Sequence, residues 1–184
     1  MMSTAAILLA DGFETVEAFG PVDVLTRAGA EVIRVSCMEQ PTVFSAQGIP
    51  TVCDVKLTEI ELSDVDCLIV PGGMGGVDNL RETPGVKDEL KRRVQANELL
   101  CVICAAPMLL AELGLLEGRN VTCYPGCDID FPAGVRPSKN GVYKDQNLIS
   151  ASGPAYGLAF GVEIAKALVG EQAAQDVAQG MLIS

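Results

Sequence analysis

Apolar residues in this chain fall into short unbroken runs, set between stretches that repeat at helical spacing. Ala5-Ala6-Ile7-Leu8-Leu9 has no polar alternation, which is the signature of a parallel strand buried on both faces. Asp11-Gly12 breaks it. Thr15 to Ala28 is helical, with Gly29 as its stop and Pro21 predicting a kink or restart. Glu31 to Cys37 is a second strand. Val43 to Ala46 and Ile49 to Cys53 flank Gln47-Gly48 as a hairpin. Cys67 to Val70 is another buried strand, ended by Pro71-Gly72-Gly73.

Pro84 to Ala96 is a polar-faced helix, with Pro84 near its first turn. Leu99 to Ile103 is a strand and Pro107 to Leu113 a helix. Val121 to Tyr124 is a short strand, and Asp128 to Ser138 a loop rich in proline and glycine. Gly141 to Tyr143 and Leu148 to Ala151 form a late hairpin. Ala155 to Val169 and Glu171 to Met181 are the last helices. Strands alternating with helices predict an α/β sandwich on a mostly parallel sheet. No linker or repeat divides the chain, so one domain over residues 1–184 is expected.

Composition narrows the function classes. The chain has 184 residues and a formal charge of −11. That argues against a nucleic-acid partner, because phosphate binding needs clustered Lys and Arg. Lys91-Arg92-Arg93 is the only basic run and reads as a solvated helix face. No apolar run approaches the roughly 20 residues of a membrane span, and no basic region precedes the first strand. A cytoplasmic chain with no membrane partner is expected. Seven cysteines then read as reduced thiols. Cys37, Cys53 and Cys67 lie in or beside apolar segments. Cys101 and Cys104 make a CxxC, but Cys101 falls inside a strand. Cys123 and Cys127 lack further ligands, and there is no His, so no metal site is expected.

The chemistry gathers around Cys104. An apolar strand stops at this cysteine, Ala105 and Ala106 follow, and a helix opens at Pro107. Such a corner holds a nucleophile out from the sheet, and a helix N-terminus favours its thiolate. The chain has no histidine to serve as the base. Ligands of a parallel sheet bind beyond the carboxyl ends of its strands. Three segments meet that description: Ala10 to Glu17, the glycine loop Pro71 to Gly76, and Cys104. The glycine loop offers backbone N–H groups for an anion hole, and no Lys-Ser or Lys-Thr follows it as in a phosphate loop. Glu14 and Glu17 sit in the first turn of the first helix, where acids complement the dipole. A carboxyl there, kept protonated beside a thiolate, could donate to sulfur in place of His.

LLADGFETVEAFGPVDVLTRAG, VPGG ending at Gly73, ICAAP at Cys104 and SGP at Ser152 together resemble the ThiJ/PfpI superfamily. Within it, the chain looks like the branch of the Parkinson's-disease-associated protein deglycase and its small bacterial relatives. The resemblance runs nearly end to end. It implies a flavodoxin-like three-layer sandwich, similar to class I glutamine amidotransferases, that is usually a homodimer. It further implies Cys104 as nucleophile, Glu17 as its hydrogen-bonding partner, and Gly72 and Gly73, with Ala105, around the oxyanion. Cys53 matches a second, more exposed thiol near the dimer contact. The family's histidine position is held here by Tyr124, which can donate a hydrogen bond but, with a pKa near ~10, accepts protons poorly. Ala106 stands where relatives often have Gly, and the segment from Asp128 to Asn140 departs most.

The function implied is that of a cysteine-centred stress-response protein with cofactor-independent glyoxalase or deglycase activity on small 2-oxoaldehydes. The alternative is a non-catalytic redox sensor or chaperone-like protein, with peroxide as the reacting partner. Protease and thiazole-phosphate chemistry are not expected, since neither a triad base nor a phosphate loop is present.

Overall fold

The computed structural model describes residues 2–135 and 139–183. In chain order its elements are β1 (Thr4–Leu9), α1 (Thr15–Arg27), β2 (Glu31–Ser36), β3 (Thr42–Phe44), β4 (Pro50–Val52), β5 (Val55–Lys56) and β6 (Cys67–Val70). There follow α2 (Met74–Glu82), α3 (Val86–Ala96), β7 (Leu99–Ile103), α4 (Pro107–Glu112), β8 (Val142–Asp145), β9 (Leu148–Ala151), α5 (Gly157–Val169) and α6 (Glu171–Gly180). Seven strands form one sheet in the order β5-β2-β1-β6-β7-β9-β8, parallel except for β8.

The two faces of the sheet follow from the period of two along each strand. Ala6, Leu8, Leu68, Val70, Leu100 and Val102 point to one side, where Leu80, Leu90 and Leu109 from α2, α3 and α4 cover them. Ala5, Ile7, Leu9, Ile69, Cys101 and Ile103 point to the other, beneath α1, α5 and α6. Covered on both sides, β1, β6 and β7 need apolar residues at successive positions, which is why their runs lack alternation. From β1 the chain moves outward to β2, then later returns to β1's other side as β6. The crevice beyond the carboxyl ends of β1 and β6 is therefore the switch point of the sheet.

Several sequence expectations shift. Val121 to Tyr124 is not a strand; its backbone is stapled singly, with Val121 N–H donating to Val135 O and Tyr124 N–H to Cys104 O. Met74, Gly75 and Gly76 are not loop but the opening turn of α2. A Cβ at Gly76 would sit 2.9 Å from the Phe13 backbone, so the glycines serve close packing there. α3 starts at Val86, after a left-handed Gly85, rather than at Pro84. α1 runs unbroken through Pro21, which packs where a Cβ on Gly161 would lie only 2.8 Å from its Cα. The loop expected from Asp128 to Ser138 is irregular as far as it is described; residues 136–138 lie outside the described residues.

Arg93 corrects the reading of Lys91-Arg92-Arg93 as a solvated face. It is fully buried. Its guanidinium donates to Leu62 O at 2.6 Å, Val65 O at 2.8 Å, Leu99 O at 3.1 Å and Glu89 Oε1 at 2.8 Å. It thereby ties the loop before β6 to the start of β7, the strand that ends at Cys104. Arg93→Ala would strand three carbonyls, while Glu89 keeps its two bonds from Arg92. The expected loss is about 3–5 kcal/mol of unfolding free energy from these unsatisfied carbonyls, read as a lowered urea midpoint with an unchanged slope.

Candidate active site

Cys104 follows β7 directly and has φ of +64°, a left-handed backbone that few non-glycine residues adopt. Two backbone bonds hold it there. Its N–H donates to Ala151 O at 2.9 Å, and its carbonyl accepts from Tyr124 N–H at 2.9 Å. The neighbouring strand β9 thus fixes one side of the corner and the Tyr124 segment the other. The thiol stays partly accessible, whereas Cys101 is fully buried on the α1–α5 side. There the Cys101 sulfur meets Cys67 at 3.6 Å. The CxxC is therefore not a facing pair.

Glu17 projects from the first turn of α1 and is fully buried. Glu14 caps the helix, its Oε2 accepting from Glu17 N–H at 2.9 Å. Glu17 Oε2 accepts from Gly72 N–H at 2.9 Å. Its Oε1 is buried with no partner at regular hydrogen-bonding geometry, while the carboxyl as a whole is coupled to the Cys104 thiol. An ionised Oε1 has only the thiol as a donor. A protonated one becomes a donor itself.

Gly72 brings these groups together. A Cβ there would lie 2.4 Å from Glu17 Oε2 and 2.6 Å from Cys104 Cβ. Gly73 is as tightly constrained: φ is +88°, and a Cβ would meet Gly12 O at 2.3 Å. Glu14 N–H donates to Gly72 O at 3.0 Å, closing the loop onto α1. Gly72 N–H is committed to Glu17, so the expectation that it joins Gly73 in an anion hole does not hold in this state. The N–H groups directed at the sulfur are those of Gly73 and Ala105.

Burial pushes Glu17 up to about 7; Glu14 adds to the rise, while the thiol and Gly72 N–H oppose it. Burial also pushes the Cys104 thiol up, helped by the Glu17 charge and opposed by the Gly73 and Ala105 N–H groups. These groups thus push the thiol away from the thiolate that a helix N-terminus would favour. α4 is only six residues long and opens three residues later, too weak a dipole to offset burial and a carboxylate. Each group thus shifts the other: the thiol's hydrogen bond holds Glu17 down, and the Glu17 carboxylate holds the thiol up.

Other expected residues lie further out. Tyr124 is half exposed, and what joins it to the corner is its backbone. Cys53 is buried rather than exposed, and burial pushes its thiol up to about 11. Of the first helix, Ala18 is core and Val16 surface. Gln47 was legible only as a hairpin turn. Its Oε1 accepts from Thr15 N–H and Oγ1 at 3.2 and 2.6 Å, and its Nε2 donates to Glu14 at 3.3 Å. No local signal marks that docking of the β3–β4 hairpin onto α1.

A doubly wound sheet with a cysteine at a left-handed strand-to-helix corner defines a flavodoxin-like α/β protein with a thiol site at its switch point. The chain belongs to the DJ-1/PfpI family, whose sequence model matches residues 3–167. It is 31% identical over 185 residues to protein dj-1beta of Drosophila melanogaster, covering 100% of this chain and 99% of that protein. The crystal structure of Drosophila DJ-1beta superposes with a TM-score of 0.94 and full coverage of both chains. The glutathione-independent glyoxalase DJR-1.2 of Caenorhabditis elegans is 30% identical over 171 residues, covering 92% of this chain and 90% of that one. Toxoplasma gondii DJ-1 in its oxidized form has a TM-score of 0.92 at 28% identity, covering 98% of each chain.

Glu17 gives stability a distinct pH dependence. Its folded pKa of about 7 lies above the ordinary 4.5, so its protonated form stabilises the fold. That contribution is complete below pH 4.5 and is lost as pH rises to 7. It amounts to about 3 kcal/mol. The gap in unfolding free energy between wild type and Glu17→Gln, measured with urea at pH 4.5 and pH 8, is expected to shift by that amount in favour of the variant at pH 8.

Proposed function

We propose that this protein is a cysteine-centred stress-response enzyme that converts small 2-oxoaldehydes to 2-hydroxy acids with Cys104 and Glu17 and no cofactor. The observation that carries this reading is the buried, otherwise unpartnered Oε1 of Glu17 on a carboxyl coupled to the corner thiol. A group poised near neutral pH can both give and take a proton. The relative named as a glutathione-independent glyoxalase, 30% identical, supports the same chemistry.

In this reading the Glu17 carboxylate takes the thiol proton, the sulfur bonds to the aldehyde carbon as the C=O π bond breaks, and the carbonyl oxygen takes that proton from Glu17 to give a hemithioacetal. The Gly73 and Ala105 N–H groups steady the charge as it forms on oxygen. The Glu17 carboxylate then removes the proton from that carbon and returns it to the neighbouring ketone carbon, while the hemithioacetal hydroxyl proton passes to the ketone oxygen, leaving a thioester. Water cleaves the thioester, freeing the 2-hydroxy acid and the thiol. One carbon is oxidised, its neighbour is reduced, and one water is added overall. Without a histidine, Glu17 carries each of these transfers. Tyr124 contributes at most a hydrogen bond.

A second reading is supported by the oxidized Toxoplasma relative. Here peroxide oxidises Cys104, and the Glu17 carboxyl and nearby N–H groups hold the added oxygens. Under either reading the chain acts as one cytoplasmic domain and as a homodimer. The exposed apolar Val16, Phe44, Ile49, Val52 and Leu158 support a self-association surface. Among the described residues no helix is long and apolar enough to cross a membrane.

Methylglyoxal and the appearance of lactate test the first reading. Wild type is expected to form lactate, with Glu17→Gln and Cys104→Ala slower by at least about 100-fold. Lactate formation by Cys104→Ala at the wild-type rate sinks it. No lactate from wild type, together with peroxide oxygen mapped by mass to Cys104, selects the second.

A further inference from the structure

Ser150-Ala151-Ser152 runs off the end of β9 with its side chains alternating between the two faces of the sheet. Ala151 joins the core beneath α1 and α5, and its carbonyl accepts from Cys104 N–H. The two serines face the other way, and both hold Thr122. Thr122 N–H donates to Ser150 Oγ at 3.0 Å, and Thr122 Oγ1 pairs with Ser152 Oγ at 2.8 Å. All three hydroxyl residues are buried, where an unbonded hydroxyl is costly. Ser152 Oγ also accepts from Gly141 N–H at 2.9 Å and donates to Gly141 O at 3.3 Å. Thr122 is then the donor to Ser152, and both hydroxyl protons of the pair are placed.

This pair joins the two arms that grip the corner cysteine. One arm is β9, through Ala151 O. The other is the segment 121–124, through Tyr124 N–H donating to Cys104 O at 2.9 Å. Ser152 follows Ala151 directly, and Thr122 stands two residues before Tyr124. The links close on themselves: Cys104 to Ala151, Ser152 to Thr122, and Tyr124 back to Cys104. The segment 121–124 is not a strand, so the two bonds from Thr122 seat it on β9 in place of a ladder. If that arm loosens, residue 104 is free to leave its φ of +64° for an ordinary backbone conformation. The sulfur then swings off the Glu17 carboxyl and off the Gly73 and Ala105 N–H groups.

We propose that Thr122, held by Ser150 and Ser152, is a positioning residue for the thiol: through Tyr124 N–H it keeps the Cys104 corner left-handed and the sulfur aimed at Glu17. The inference rests on the reading of Cys104 and Glu17 as a reactive pair, and it adds the part that aims one at the other. Glu17 is the titratable group coupled to the thiol, and Glu14 the one coupled to Glu17; Thr122 acts on neither charge, only on geometry.

Iodoacetamide tests this without catalysis. It forms an S–C bond at the thiol and releases iodide, and its rate at Cys104 is read by peptide mass across neutral and alkaline pH. Thr122→Val keeps the shape of the side chain and removes the hydroxyl. The neutral-pH step, in which Glu17 takes the thiol proton, is expected to slow about tenfold in this variant, as for a misaimed reacting group, with the alkaline step unchanged. Ser152→Ala breaks the pair from the other arm and is expected to slow the same step. Thr122→Ser keeps the hydroxyl and is expected to restore it. In a Glu17→Gln background Thr122→Val is expected to change nothing at neutral pH. A purely structural role would lower the urea midpoint and leave the pH profile as it was. Thr122→Val and Ser152→Ala profiles superimposable on wild type, or a slowing that persists undiminished in Glu17→Gln, overturn the positioning role alone. A wild-type profile with no neutral step overturns the Glu17–Cys104 reading and the positioning role with it.

Discussion

The site depends on one absent atom. Because Gly72 has no Cβ, a carboxyl from the first helix and the corner cysteine after β7 can close on the same point of the glycine loop. Gly72 also supplies the N–H that fixes one carboxyl oxygen, leaving the other for sulfur. Three elements distant in sequence, α1, the loop after β6 and the end of β7, are thus locked within a few ångströms. The strain of a left-handed Cys104, on the order of 1–3 kcal/mol, is held by the backbone bonds to Ala151 and Tyr124.

Burial gives this arrangement its chemistry. Desolvation penalises a charge on either partner, so neither group titrates where it would in water. A lone buried thiol would be inert. A thiol beside a carboxyl poised near neutrality can pass its proton a short distance and become a nucleophile on demand. In the proposed chemistry the same proximity lets Glu17 move the proton without a histidine.

Much of the fold was legible because β1, β6 and β7 are buried on both faces and cannot hide their apolar runs. What sequence missed was tertiary. Met74, Gly75 and Gly76 look like a loop, since glycine disfavours a helix; only the approach of Gly12 and Phe13 explains why α2 begins there. Arg93 looks solvated in a basic run, yet it fills a hole bounded by three carbonyls. Within the site, the meeting of Cys104, Glu17 and the glycine loop followed from strand order. The commitment of Gly72 N–H to Glu17, the upward push on the thiol and the docking of Gln47 did not, because each arises from contacts between segments rather than within one.

The pH dependence of Cys104 alkylation by iodoacetamide, in wild type and Glu17→Gln, tests the coupling of Glu17 to Cys104 most directly. The expected wild-type profile rises with a midpoint near 7, where Glu17 loses its proton and can take the thiol's, and rises again at high pH. In Glu17→Gln the first step is expected to vanish, leaving a single midpoint above the usual thiol range of about 8.5, because burial remains and no carboxylate can accept the proton. Superimposable profiles for the two proteins would contradict the coupling of Glu17 to Cys104.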